Sequence, residues 1–185
     1  MRRQAGFTVT ELMVVVAIVA ILLSLGVPSF RYITNAYRMS AEVNGLLGDL
    51  QYARAEAIRE GQPVTACVSN NGTACTGGGN WARGWIVFSD PNGNQTVDAG
   101  EVVLRRQAVF TGTTPDTFNA GGGLTAITYN REGFATTAAG FPNTIITLHD
   151  PSSNAAWTRC LWITPVGMLT TETPANPLSG PGTCS

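Results

Sequence analysis

Hydrophobic positions along this 185-residue chain change their period twice. Residues 12–30 form a run of nineteen positions without a charge, dominated by Leu, Ile and Val. At about 1.5 Å per residue, such a run spans a bilayer as a helix. Past Pro28 the pattern becomes one-sided: Met39, Val43, Leu46, Leu50, Ala53 and Ala57 recur at spacings of three and four. That stripe predicts an amphipathic helix, with Arg38, Glu42, Asp49, Glu56 and Arg59 largely outside it. Gly61 and Pro63 supply the stop, so one helix of roughly 80 Å is expected over about 8–60. Pro28 lacks a backbone donor and crowds the preceding turn, which predicts a kink near Gly26. Gly45 and Gly48 each weaken a helix by about 1 kcal/mol, and close packing on a sheet is their plainest explanation.

After Gly61 short apolar runs alternate with turn residues. Strands are expected at 63–68, 85–88, 102–109, 124–129, 144–149 and 159–164, with glycine loops at 77–79 and 121–123. Trp85 and Phe88 read as core or cross-strand aromatics. The fold class is α+β: one long helix packed on an antiparallel sheet or sandwich. The expected division is a leader at 1–6, a membrane-spanning helix at 7–30, its amphipathic half at 31–60, and a β-rich domain at 61–185.

Glu11 breaks the apolar pattern at its entrance. A buried acid costs roughly 2.5–3.5 kcal/mol on insertion scales, while each Leu, Ile, Val or Phe returns about 0.3–0.6 kcal/mol. Fourteen such residues lie in 7–30, so the segment inserts despite the acid. A secretory signal peptide would have a shorter apolar stretch and a small-residue cleavage site beyond it. A plain anchor explains the length but not Glu11. A cut between Gly6 and Phe7 would create an α-amino group close to Glu11 and give the acid a cation to pair with. These residues alone leave all three readings open.

Charge narrows the partners. The chain holds 11 Arg, no Lys and 12 acidic residues, for a net charge of −1. Loss of Arg2 and Arg3 with a leader would leave 9 against 12, or −3. A bulk basic attraction to nucleic acid is therefore not supported. Basic residues before the run favour a cytoplasmic N-terminus and an exported remainder. Four cysteines suit an exported domain. They allow three pairings, of which local closure favours Cys67–Cys75 and Cys160–Cys184. Metal binding is the rival, but none is CxxC-spaced and His149 is the single histidine.

The string Gly6-Phe7-Thr8-Val9-Thr10-Glu11-Leu12, behind a short basic leader, resembles the processing site of type IV prepilins and type II secretion pseudopilins. The resemblance implies cleavage after Gly6 by a prepilin peptidase, N-methylation of Phe7, and a docking role for Glu11. It also implies that the 26–28 segment, with Gly26 and Pro28, unwinds on filament entry, and that a C-terminal disulfide closes the last loop. Within that class, 50–59, the Cys67/Cys75 loop, 84–88 and the turn at 90–104 are similar to FimT/FimU minor pilins, which share a domain type with GspH pseudopilins. The expected partners are the peptidase, other minor and major pilins, the assembly machinery and the bacterial inner membrane. After assembly the chain would sit in a pilus or pseudopilus.

Other chemistry is thin. Asp90, Asn92, Asn94, Asp98 and Glu101, with Thr96, carry oxygens at the spacing of a twelve-residue calcium loop. Gln95 stands where that loop needs glycine, and ordinary turn chemistry explains the same composition, so calcium is the secondary reading and no cofactor is required. His149-Asp150 lacks an assignable nucleophile, and the glycine runs lack a following helix and lysine, so an enzyme is not expected. Some FimT proteins bind DNA through a basic Gly-Arg-x-Arg stretch; the corresponding Gly167-Met168-Leu169-Thr170 has no arginine. DNA is thus not an expected partner.

Overall fold

The computed structural model describes residues 6, 8–110, 116–138, 140, 143–175 and 184, in two units, residues 1–38 and 39–185. Phe7, the leader residues 1–5 and most of the tail after 175 lie outside the described residues.

The first unit carries the N-terminal part of helix α1 (Val9–Glu60). The side chains of its apolar run are solvent-exposed within the chain, Leu12, Ile18, Leu22 and Phe30 among them. Among the described residues, α1 is the one helix long and apolar enough to cross a membrane. Its hydroxyls are satisfied locally: Ser24 donates to the Ile21 carbonyl at 2.7 Å, and Thr34 to that of Phe30 at 3.0 Å. Such bonds lower the cost of placing them in hydrocarbon.

In the second unit, α1 buries Met39, Val43, Leu46, Leu50, Ala53 and Ala57, the stripe expected from spacing. Glu56 departs from expectation: it is buried rather than outside the stripe, and both its carboxylate oxygens accept from the Arg59 guanidinium. That pairing also holds the Glu56 carboxyl below its ordinary range. Gly61 ends the helix with φ +69° while its N–H returns to the Ala57 carbonyl at 3.0 Å, a left-handed C-cap that favours glycine.

Gly45 and Gly48 do not pack on the sheet. Both are exposed, and a Cβ at either position would meet nothing within 4 Å. Substituting either by alanine should therefore stabilise the unit by about 1 kcal/mol, readable as a higher melting temperature. A drop would show that the close-packing expectation was sound.

Among the described residues, nine strands form two antiparallel sheets. The first contains β1 (Val64–Val68), β2 (Trp85–Ser89), β3 (Val103–Gln107), β5 (Ala126–Tyr129) and β6 (Ala135–Thr136) in the order β3-β2-β1-β5-β6. The second contains β4 (Thr117–Ala120), β7 (Thr144–His149), β8 (Arg159–Ile163) and β9 (Leu169–Glu172) in the order β4-β7-β8-β9. β4, β6 and β9 are additional to the strands expected from the sequence. Pairings such as Val64↔Ser89 and Val64↔Tyr129 fix β1 at the centre of the first sheet.

Strand alternation divides the side chains. Val64, Ala66, Val68, Trp85, Val87, Ile127 and Tyr129 join the α1 stripe and Phe118, Ile146, Leu148, Leu161 and Ile163 in one core. Cys67, Ile86, Phe88 and Ala126 form a smaller cluster, covered by Cys75, Val97 and Val103. Both faces of β1 are thus buried, and all five of its residues, Thr65 included, are covered.

Candidate functional site

Glu11 occupies the first turn of α1 and is exposed. Thr8 precedes the helix, and its hydroxyl accepts from the Glu11 N–H at 3.2 Å while its carbonyl accepts from the Leu12 N–H at 3.1 Å. Thr8 is therefore the N-cap, and Glu11 stands three residues on. The Ser/Thr-x-x-Glu spacing at a helix start is a capping signal legible in the sequence. An acid there also opposes the positive end of the helix dipole. Gly6 is exposed beside this turn. Gly26 and Pro28 lie within α1, which continues through both as helix.

The disulfides join Cys67 to Cys75 and Cys160 to Cys184. Each starts on an inner strand of its sheet, β1 or β8, and ties a loop or tail segment to it. The first closes a short loop that also covers the Phe88 side of the sheet.

At 90–101 the structure assigns the oxygens to the protein itself. Asp90 is fully buried; its Oδ2 accepts from Thr65 Oγ1 at 2.6 Å and Gln95 N at 3.0 Å, and Oδ1 from Asn94 N at 3.1 Å. Asp98 accepts from the Asn92 and Asn94 side-chain amides at 2.9 and 2.8 Å. Those two bonds, Asn92's first, hold the Asp98 carboxyl below its ordinary value. Glu101 Oε2 accepts from the Asp98 N–H at 2.8 Å. Among the described residues no three His, Cys, Asp or Glu side chains gather as a metal site. The loop oxygens thus accept hydrogen bonds from donors within the loop and from Thr65. Gln95 takes the left-handed conformation, φ +62°, that the pattern reserves for glycine.

The basic residues are largely committed to structure. Arg105 donates to Asp49 Oδ1 at 3.0 Å and lies 4.0 Å from the Tyr52 ring centroid. Asp49 Oδ2 in turn accepts from Trp85 Nε1 at 2.9 Å. Arg54 donates to the Gly133 carbonyl at 3.0 Å and the Val166 carbonyl at 3.1 Å. Gly167 sits against both partners, with φ +74°, and a Cβ there would strike the Gly133 carbonyl and the Arg54 side chain. Backbone packing therefore accounts for glycine at the start of the 167–170 stretch. Arg54 lies in the 50–59 stretch and Asp49 directly before it; their tertiary partners lie too far along the chain for local spacing to reveal.

Comparison with known proteins separates the two parts of the chain. A model of the prokaryotic N-terminal methylation motif matches residues 1–27. No curated protein matches the chain. Among solved structures, the type IV minor pilin FimU of Pseudomonas aeruginosa is similar in two crystal forms. One has a TM-score of 0.53 at 17% identity, covering 85% of this chain and 98% of FimU. The other has 0.50 at 18%, covering 82% and 98%. At such identities the likeness shows a shared pilin-like fold. The family model for the type II transport protein GspH matches residues 42–167, more than half of the sequence, and the chain belongs to that family.

Proposed function

We propose that this chain is a minor pilin or pseudopilin, a structural subunit that works by docking and not by turnover. The observation carrying this reading is the order of its parts. A methylation motif at 1–27 leads into a helix able to cross a membrane, and a GspH domain at 42–167 follows. A prepilin peptidase cuts between Gly6 and Phe7 and methylates Phe7. The chain waits in the inner membrane with its N-terminus cytoplasmic and residues 61–185 periplasmic. During assembly the apolar helix joins the filament core, Glu11 meets the N-terminal amine of a neighbour, and the 26–28 segment loosens. The β-rich domain then contacts other minor subunits. A type IV pilus is preferred to a type II secretion pseudopilus, supported by the Cys67/Cys75 loop and the 85–88 strand.

Mass measurement on the membrane-purified protein tests processing: the expected chain begins at a methylated Phe7, and an uncut chain in the presence of the peptidase counts against the reading. Gene deletion, scored for piliation and exoprotein secretion together, separates the two machines. Loss of secretion with piliation intact would reverse the preference. Glu11→Ala should insert normally, since it removes a cost of roughly 2.5–3.5 kcal/mol. It should reduce filament incorporation about tenfold or more, measured by immunoblot of sheared filaments. Undiminished incorporation would remove Glu11 from the docking step.

A further inference from the structure

A cavity of about 310 Å³ opens beside the Gly121–Gly123 turn, lined by Gln95, Thr125, Thr137, Asn143 and Thr144 among others. Among the described residues, none that lines it is charged. Two of its amides are each engaged at one end by a hydrogen bond. Trp162 Nε1 donates to Asn143 Oδ1 at 3.2 Å. An indole nitrogen can only donate, so the Asn143 side chain presents its Nδ2 donors elsewhere. Gln95 is fixed through a longer chain. Asp90 Oδ2 accepts the Thr65 hydroxyl proton at 2.6 Å, so Thr65 Oγ1 must accept from Thr128 at 2.7 Å. Thr128 Oγ1 is then the acceptor for Gln95 Nε2 at 3.1 Å. The buried Asp90 carboxylate thereby sets the direction of every bond in the series, leaving Oε1 as the acceptor of an amide that lines the cavity.

We propose that this cavity is a binding site for a neutral saccharide. It offers a preoriented donor at Asn143, a preoriented acceptor at Gln95 and several hydroxyls, with no counter-charge. A charged ligand would lose hydration there without an opposite charge to replace it. A purely apolar ligand would leave both amide ends unpaired. A hydroxyl-rich neutral ring satisfies both amides, and the volume suits a mono- or disaccharide. Every residue invoked belongs to residues 39–185, so the assignment does not require the membrane helix or filament entry.

The test uses the full chain in lipid nanodiscs, because glycosidic detergents would present sugar headgroups. Calorimetric titration compares glucose, galactose, N-acetylglucosamine and maltose with glucuronate, galacturonate and glycerol. At least one neutral sugar should bind saturably with Kd of about 10 mM or tighter. It should bind better than its carboxylated counterpart and than glycerol. Asn143→Asp and Gln95→Leu should each weaken it by about tenfold. Melting temperature identifies any variant that fails to fold, and the other variant then decides. No saturable binding of a neutral sugar, equal binding of the acidic sugars, or wild-type affinity in a folded variant would each overturn the assignment.

Discussion

Trp85→Ala should lower the melting temperature of the full chain by about 10–15 °C, reflecting a loss of about 3–5 kcal/mol. Trp85 is fully buried on β2, among the largest side chains in the core. Its ring meets Phe110 edge-on, with centroids 5.8 Å apart at 76°, and Phe118 at 6.4 Å and 52°. Phe110 and Phe118 touch each other at 5.5 Å, so removing the indole opens a cavity at the centre of a three-ring cluster. The alanine also strips Asp49 of the indole donor, leaving its carboxylate to Arg105. Trp85→Phe separates these effects: it keeps most of the buried area and loses the hydrogen bond. Its cost should be about 1–2 kcal/mol. Thermal unfolding followed by far-ultraviolet dichroism checks both, and a drop below about 3 °C for Trp85→Ala would contradict this account of the core.

Asp90→Ala should cost about 3–4 kcal/mol although it removes no apolar surface. The substitution takes the acceptor from the Thr65 hydroxyl and the Gln95 N–H, and leaves the Asn94 N–H with Asn92 Oδ1 alone, at 3.1 Å. Thr65 is fully buried, so water does not readily replace the carboxylate there. Asp90→Asn should fall between, since the amide keeps one oxygen but turns a donor toward groups that themselves donate. Amide exchange should quicken first at Asn94 and Gln95, before the rest of the first sheet opens. A melting temperature within a degree or two of wild type would mean that the loop finds other acceptors. Addition of calcium should not restore stability to either variant, because the carboxylate's role is to receive protein hydrogen bonds.

Legibility from the sequence follows interaction range. The buried face of α1 repeats every three or four residues, so Met39, Val43, Leu46, Leu50, Ala53 and Ala57 were readable as a stripe. Glu56 was misplaced because its partner Arg59, though close in sequence, neutralises a burial that composition alone disfavours. Strands β1, β2, β7 and β8 carry Val, Ile, Leu and aromatic residues and announced themselves. β4 and β9 read TFNA and LTTE, too polar and too short to rise above loop composition. Sheet order was hidden because β1 pairs with β5 across about sixty intervening residues, a choice made by the assembled core. The processing motif was legible as a contiguous string. The cavity was not: it gathers Gln95, the 121–126 segment and Thr137, Ala138, Asn143 and Thr144, none of which carries a local pattern for it.

The Arg54 guanidinium has a mechanical consequence. One of its acceptors, Gly133, lies in the turn between β5 and β6 of the first sheet. The other, Val166, lies in the turn between β8 and β9 of the second. The Ala135 N–H also reaches across to the Pro165 carbonyl at 3.0 Å, so the two turns are coupled at the point where the helix grips them. Tension arriving along residues 39–60 is therefore shared by both sheets in parallel, where a single attachment would peel one sheet from the other. Under load, Arg54→Ala should lower the rupture force read in single-molecule pulling, with the shared core still joining α1 to both sheets.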